Sequence, residues 1–438
     1  MNQTVLRFED RSSIAPAKRT DETISIIGLG YVGLPLATAL AEKYASVIGY
    51  DISEARVEAL QKGLDHNDEV PSERLITSGL RSTSVSGDLR GQTVFVVTVP
   101  TPLTEFRQPD LEPLEAACAT VARHIRPGGL VIFESTVYPG VTEEVCVPLL
   151  EEFSGLQHLR DFNVAYSPER MNPGDHMNTV ETTAKLISAD TNAACDRVRQ
   201  IYSTIVGSEL YHCPSIRVAE AAKALENTQR DVNIALMNEM SSIFDKLGIS
   251  TRDVLDAAAT KWNFLPFQPG LVGGHCIGVD PHYLSAAAER AGARPSLIRM
   301  ARDINDGVAA RIADRVLRYI ATLGRPPNIA LLGITFKENV PDIRNSQALT
   351  LLETLQDTGL RPLAVDPIAE HACLGCGVAV TDPSDLKDID VLILAVPHTQ
   401  LLKVAPWTTC LSKSALVIDV KSAIPKNSLP AGTLRWTL

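Results

Sequence analysis

Thr23-Ile-Ser-Ile-Ile-Gly28-Leu-Gly30-Tyr-Val-Gly33-Leu-Pro35 is a short β-branched run that stops at three spaced glycines. From Leu34 to Tyr44 the chain turns Ala- and Leu-rich, as in a helix, and Ser46-Val-Ile-Gly-Tyr-Asp51 reads as a second strand. Together they form a βαβ unit of about 30 residues with the glycines at its first turn. Gly28 allows the tight turn, Gly30 lets a pyrophosphate approach the backbone, and Gly33 lets the helix pack close to the strand. Tyr31 and Val32 lie in the turn itself, where the helix N-terminus offers free N–H groups and the positive end of its dipole. Asp51 ends the second strand, where it can accept hydrogen bonds from ribose hydroxyls. Its charge repels a 2′-phosphate, so the reading is NAD rather than NADP. Arg56, one helical turn further on, reads either as an adenine-side contact or as an ordinary surface arginine.

Further apolar strands follow at Thr93–Thr98 and Gly129–Glu134, and Phe162–Tyr166 is expected to end the series. Apolar strands alternating with helices predict a doubly wound parallel sheet, which gathers ligands at the carboxyl ends of its strands. Thr98, Pro100 and Thr101 after one strand, and Ser135 and Thr136 after the next, are therefore candidates for the cofactor or the reaction centre. Hydroxyls in such turns also serve as caps.

From about Ser215 to Leu247 neither Gly nor Pro interrupts a helical pattern, giving a helix of roughly 45–50 Å. Such a length suits a junction of domains or subunits. More helix follows at Thr251–Ala259 and Leu297–Leu323. A second α/β pattern opens near Asn328, with strands at Ile329–Gly333, Arg361–Asp366, Val391–Val396 and Ala415–Val420 and a helix at Ser346–Thr358. The fold class is thus α/β: two Rossmann-like doubly wound parallel-sheet domains joined by a central helical domain with one long helix. The boundaries fall at 1–20 (a loose N-terminal arm), 21–213, 214–323 and 324–438.

Composition agrees. The 438 residues are 45% hydrophobic and 21% charged, as in globular enzymes. A net charge of −11 argues against a nucleic-acid or anionic-membrane surface. No apolar run approaches the roughly 18–20 residues of a membrane span, and residues 1–20 do not read as a secretory signal, so a cytoplasmic enzyme is expected. The eight cysteines are scattered; Cys373-Leu-Gly-Cys376 is a lone CxxC, read as two ordinary cysteines, and no metal site is expected.

One cysteine has a distinctive setting. Gly270, Gly273, Gly274 and Gly278 surround Cys276, and Asp280 follows four residues on. Backbone amides in such a loop could lower the thiol pKa or bind phosphate. Lys223 and Asn227 share one face of the long helix, either as a base and oxyanion partner or as an ordinary solvated face. Glu169 and Arg170 follow a strand, where Glu169 could orient water. Lys337 and Arg344 follow the first strand of the C-terminal half, where two cations could hold a diphosphate.

The joint pattern resembles the UDP-glucose/GDP-mannose dehydrogenase family. Its marks are Gly-Leu-Gly-Tyr-Val-Gly-Leu-Pro (28–35), Ser-Thr-Val (135–137), Ser-Pro-Glu-Arg (167–170), Ala-Lys-Ala-Leu-Glu-Asn-Thr-Gln-Arg-Asp-Val-Asn-Ile-Ala (222–235), Gly-Gly-His-Cys-Ile-Gly-Val-Asp-Pro (273–281) and Phe-Lys-Glu-Asn-Val-Pro-Asp-Ile-Arg (336–344). The resemblance implies an N-terminal NAD domain, a long helix at a homodimer core and a C-terminal nucleotide-diphosphate domain. It implies Cys276 as nucleophile, Lys223 and Asn227 beside the developing oxyanion, and Asp280 and Glu169 in proton transfer and water attack. Thr136 is then a water or cofactor contact, and Lys337 and Arg344 lie near substrate and nicotinamide.

The Gly-His-Cys-Ile form, with Val279 before Asp280, is similar to the branch acting on UDP-N-acetylhexosamines, toward the glucosamine and galactosamine 6-dehydrogenases of surface-polysaccharide pathways. UDP-N-acetylmannosamine and UDP-glucose remain alternative substrates. A two-electron hydroxyacid dehydrogenase of similar plan would need no thiol. A binding protein without activity would release no NADH. His275 is given no role.

Overall fold

The computed structural model describes residues 18–171, 177–274, 276–369, 380–425 and 427–438. Residues 1–17, His275 and the Cys373/Cys376 pair lie outside the described residues.

Eight strands form the first sheet: β1 (Ile24–Ile27), β2 (Val47–Tyr50), β3 (Arg81–Thr83), β4 (Val94–Val97), β5 (Gly129–Phe133), β6 (Phe162–Tyr166), β7 (Lys185–Ala189) and β8 (Leu210–His212), in the order β3-β2-β1-β4-β5-β6-β7-β8. β1, β4 and β5 are buried along their whole length, as strands covered on both faces require. The order reverses between β1 and β4, and that crevice is where an open α/β sheet binds ligands. The sheet does not end at Tyr166 as expected. β7 returns antiparallel to β6, and β8 pairs parallel with β7. The short β7, headed by a lysine, carries too little apolar signal to be read as a buried strand.

Lys18 and Arg19, the first described residues, are held to the first domain. Arg19 bridges Tyr44, with its N–H on the Lys43 carbonyl at 2.8 Å, and Lys18 Nζ donates to the Ser78 carbonyl at 2.7 Å.

The long helix runs Ile216–Leu247. Ser215 caps its start, its hydroxyl accepting from the Val218 N–H, and Gly248 ends it at φ 69°. Glu220, fully buried, accepts from the N–H groups of Gly140 (2.6 Å) and Thr142 (3.0 Å), which fastens the helix to the first sheet's domain. A buried polar chain joins it to the helix Ser296–Ile320. Arg302 pairs with Asp231, Asn305 donates to Asp231 at 2.7 Å, and Asn238 donates to Asn305 at 2.8 Å.

The second sheet has five parallel strands, β9 (Ile329–Leu332), β10 (Leu363–Val365), β11 (Ile389–Leu394), β12 (Leu411–Asp419) and β13 (Leu434–Thr437), in the order β10-β9-β11-β12-β13. Among the described residues no helix is long and apolar enough to cross a membrane.

Candidate active site

The glycine turn has the shape its sequence implies. Gly28 adopts φ +98°, a left-handed conformation suited to glycine. A Cβ on Gly33 would lie 1.9 Å from the Gly28 carbonyl oxygen, so only glycine lets the helix Gly33–Lys43 approach β1 this closely. A Cβ on exposed Gly30 would meet nothing within 4 Å, which leaves the turn open to a ligand backbone. Asp51 accepts from the N–H groups of Leu29 and Ser53, both at 2.9 Å. Its carboxylate is thereby fixed beside the turn, and the set fits an NAD pyrophosphate and ribose.

Several other candidates near the turn make hydrogen bonds within the domain. Arg56 donates to the Leu29 carbonyl at 3.0 Å and pairs with Asp65 at 2.7 Å, which braces the turn. The Thr98 hydroxyl donates to the Gly28 carbonyl at 2.8 Å. The Thr101 hydroxyl donates to the Thr136 carbonyl at 2.7 Å, and the Ser135 hydroxyl to the Val99 carbonyl at 2.7 Å. These bonds lock the loops after β4 and β5 together and leave Pro100 exposed at their rim. Tyr31 and Val32 are half-buried.

The cysteine loop is built by backbone contacts between domains. Gly270 is clamped to the long helix by Asn238, which accepts its N–H at 2.8 Å and donates to its carbonyl at 3.1 Å. The Gly274 N–H donates to the Asn345 carbonyl at 3.1 Å. Side chains on Gly273 or Gly274 would collide with the Asn345 carbonyl (2.3 Å) and the Phe336 ring (2.6 Å). Arg344 lies in the same loop after β9. Its side chain holds Asp342 through three hydrogen bonds, at 3.0, 3.2 and 2.6 Å, and its guanidinium stands 5.6 Å from the centre of the Tyr31 ring. One loop of the C-terminal domain therefore touches both the glycine turn and the cysteine loop. Half-buried Lys337 sits between these contacts, its carbonyl accepting from the Thr335 hydroxyl at 2.9 Å.

Of the six cysteines among the described residues, all free thiols, only Cys276 is not buried. Asp280 opens the helix Asp280–Arg290, and its Oδ2 accepts from the Asn227 side-chain amide at 2.5 Å. Lys223, Asn227 and Asp280 are all buried, at 7%, 6% and 2% exposure, so the face that carries Lys223 and Asn227 is an interior one and not a solvated one. Burial pushes Asp280 up to about 6 against the opposing pull of Lys223 and Asn227. The expectation that loop amides would lower the Cys276 pKa is not met. Burial and the Asp280 charge push the thiol up, with Lys223 and Arg230 opposing. The amides of Val279 and Asp280 donate instead to the Cys276 carbonyl, at 3.1 and 2.9 Å.

Glu169 Oε1 accepts from the N–H groups of Arg170 (2.7 Å) and Met171 (2.8 Å), while Arg170 pairs with Glu226 on the long helix at 2.7 Å. Burial alone would raise Glu169, yet Lys185 and the two amides hold it below the usual range. Lys185 and Glu134 carry no role in the sequence reading. The only signal is a charged residue at the start of one buried strand and the end of another. A separate cavity lined by Arg107, His282, Arg299 and Arg302 lies apart from this cluster, and its three arginines are paired with Asp306, Glu289 and Asp231.

Three family models match in succession. They describe the NAD binding domain (residues 22–206), the central domain (217–307) and the UDP binding domain (330–426) of the UDP-glucose/GDP-mannose dehydrogenase family. The chain is 43% identical to Protein CapL of Staphylococcus aureus over 95% of this chain and 100% of that one. It is 44% identical to the UDP-N-acetyl-D-glucosamine 6-dehydrogenase of Pseudomonas aeruginosa, over 87% and 91%. Among solved structures, the UDP-D-ManNAc dehydrogenase of Pyrococcus horikoshii superposes with a TM-score of 0.85 at 31% identity, covering 95% of this chain and 98% of that one. With a glycine turn shaped for NAD, a nucleotide domain packed against the loop of a half-buried cysteine and all three models in order, the chain belongs to the UDP-glucose/GDP-mannose dehydrogenase family and is an NAD-dependent nucleotide-sugar dehydrogenase.

Proposed function

We propose that the chain oxidises the C6 hydroxyl of a UDP-N-acetylhexosamine, UDP-GlcNAc or UDP-GalNAc, to the uronic acid in two successive oxidations at one site. The observation that carries this reading is Cys276, half-buried and within the electrostatic reach of Lys223 and of Asp280, which Asn227 holds. Similar chains named UDP-N-acetyl-D-glucosamine 6-dehydrogenase, at 44% and 42% identity, support the substrate class. UDP-N-acetyl-D-mannosamine is the second reading, favoured by the Pyrococcus structure.

Bound NAD would supply the acceptor for the hydride lost in each oxidation, held by Gly28, Gly30, Tyr31, Val32, Gly33 and Asp51, with Arg344 over Tyr31. Lys223, through water, takes the hydroxyl proton. Cys276 Sγ then adds to the aldehyde carbon, and Asp280 takes the thiol proton. The resulting oxyanion is held by the Lys223 ammonium and the Asn227 amide. The second oxidation leaves a thioester, which a water held by Glu169, Asp280 and Thr136 opens. Gly270, Gly273, Gly274, Arg170 and Lys337 shape the sugar and diphosphate side. The division of labour is NAD at 21–213, dimerisation and the cysteine loop at 214–323, and UDP-sugar at 324–438.

A homodimer fits one further feature. Val218, Leu225, Leu236, Ile243 and Leu247 are each more than 40% exposed, and at 100° per residue they fall within about 20° of one line along the long helix. An apolar stripe that long on a free surface marks an interface.

The test is incubation with NAD and a panel of UDP-sugars while counting NADH. Two NADH per UDP-N-acetylhexosamine are expected, and Cys276→Ser should stop at the aldehyde level. Undiminished uronate from Cys276→Ser would overturn the covalent step.

A further inference from the structure

Behind Glu169 lies a buried polar cluster that no step above uses. Lys185 Nζ, from the start of β7, lies 3.0 Å from Glu134 Oε2 and 3.1 Å from Glu169 Oε2. Exposure of the three is 4%, 2% and 7%. The Tyr202 hydroxyl donates to the other oxygen of Glu134, and the Tyr202 ring lies 5.0 Å from the ammonium. Two interior carboxylates thus share one cation. Stability is a weak reason for such an arrangement, since replacing buried ion groups by well-packed apolar side chains of similar volume is often neutral or stabilising.

The lone pairs of Glu169 suggest another reason. Oε1 already accepts two backbone N–H bonds, which fill it. Oε2 accepts from Lys185 and keeps one position open among the described residues. We propose that Lys185 and Glu134 are positioning residues for thioester hydrolysis: Lys185 aims Oε2 of Glu169 at the attacking water, and Glu134 keeps the ammonium paired when Glu169 takes a proton. The proposal rests on the reading that Glu169 activates this water. In the step, the water oxygen bonds to the carbonyl carbon and the carbon–sulfur bond breaks, its electron pair staying on Cys276. One water proton passes to Glu169 Oε2, and the other leaves on the carboxylic acid. Without Glu134, a neutral Glu169 would strand a buried ammonium, which is costly.

The cluster also makes hydrolysis sensitive to pH. Glu134 is faced by Lys185 from β7, Glu169 from beyond β6, Tyr202 from the helix Asn192–Tyr202 and Tyr166 from β6. Burial pushes Glu134 up to about 7 against the pull of Lys185, with the Glu169 charge adding to the rise. Below that range Lys185 serves Glu169 alone and weakens it as a base. Above it the ammonium is shared and Glu169 accepts a proton more readily. Hydrolysis should therefore quicken as pH rises through about 7.

The experiment uses full-length enzyme with NAD and UDP-N-acetylglucosamine, rapid acid quench and intact-mass measurement of the acyl adduct on Cys276, over about pH 6–8. Glu169→Gln should accumulate adduct at every pH. Glu134→Gln, nearly isosteric, should reach the acyl stage yet hydrolyse about tenfold more slowly and without the rise near neutrality. Lys185→Met should accumulate adduct like Glu169→Gln; if it misfolds, Glu134→Gln and Tyr202→Phe carry the test. Parental decay rates and pH profile in Glu134→Gln, with adduct still building in Glu169→Gln, would overturn the proposal and leave the role of Glu169 standing. No adduct in Glu169→Gln would remove that role and the proposal with it.

Discussion

Asn227 donates its side-chain amide to Asp280 across 2.5 Å and so ties the long helix to the first turn of the helix that follows the cysteine loop. Burial pushes Asp280 from the ordinary 3.8 to about 6. The folded chain thus binds this proton more tightly than the unfolded chain. Between about pH 4 and 6 this group makes stability fall as pH rises, by about 3 kcal/mol over the whole window. Asp280→Asn should remove that slope, seen as a flatter plot of denaturation midpoint against pH. Activity of the parent should climb with an apparent pKa near 6, and the variant should lose that limb along with about 10²–10⁴-fold of kcat. A variant that kept the limb would assign the titration to another group.

The glycine turn separates packing from cofactor contact. Gly33→Ala must push a methyl against the Gly28 carbonyl, so a loss of about 1–3 kcal/mol is expected in thermal or denaturant melts. Gly30→Ala meets no atom of the protein within 4 Å. It should melt like the parent but bind NAD at least about tenfold more weakly by fluorescence titration. Equal melting losses in the two variants would contradict this division.

Gly274 adopts φ +85° with Phe336 against it. Gly274→Ala should displace Cys276 and lower kcat by about 10²-fold or more, with NAD affinity unchanged. Adding Phe336→Ala relieves the collision but not the backbone strain, so recovery should be partial. Full recovery would show that the conformation of Gly274 is unimportant.

The exposed stripe on the long helix predicts an oligomer that two substitutions can break. Leu236→Asp combined with Ile243→Asp places charges in the middle of the stripe. Light scattering should give the mass of a single chain for the double variant and twice that for the parent. A parent of single-chain mass would remove the dimer reading.

The long helix was legible because its signals are local: 32 residues at helical spacing with no Gly or Pro among them. The glycine turn was equally legible, since strand, spacing and Asp51 all lie within one βαβ unit. β7 was not. Its pairing with β6 is antiparallel, and its leading lysine is paired in the interior by Glu134 and Glu169 from the loops after β5 and β6, 51 and 16 residues away. The hydroxyls after β4 and β5 were found as positions, but their hydrogen-bond partners are carbonyls across the sheet, which a linear pattern does not carry. Cys276 was found by its glycines. Its raised proton affinity was not, because desolvation depends on residues packed around the thiol from distant parts of the chain.

The loop after β9 meets the NAD turn through Arg344 on Tyr31 and the cysteine loop through Asn345 on Gly274. A rotation of the C-terminal domain would move both contacts at once, so a ligand that shifted one of them would bias the other. Linkage of this kind is symmetric: the factor by which dinucleotide tightens sugar is the factor by which sugar tightens dinucleotide. The order in which the two ligands add is then a matter of which one pre-closes that joint, and swapping residues there should change affinities in matched pairs.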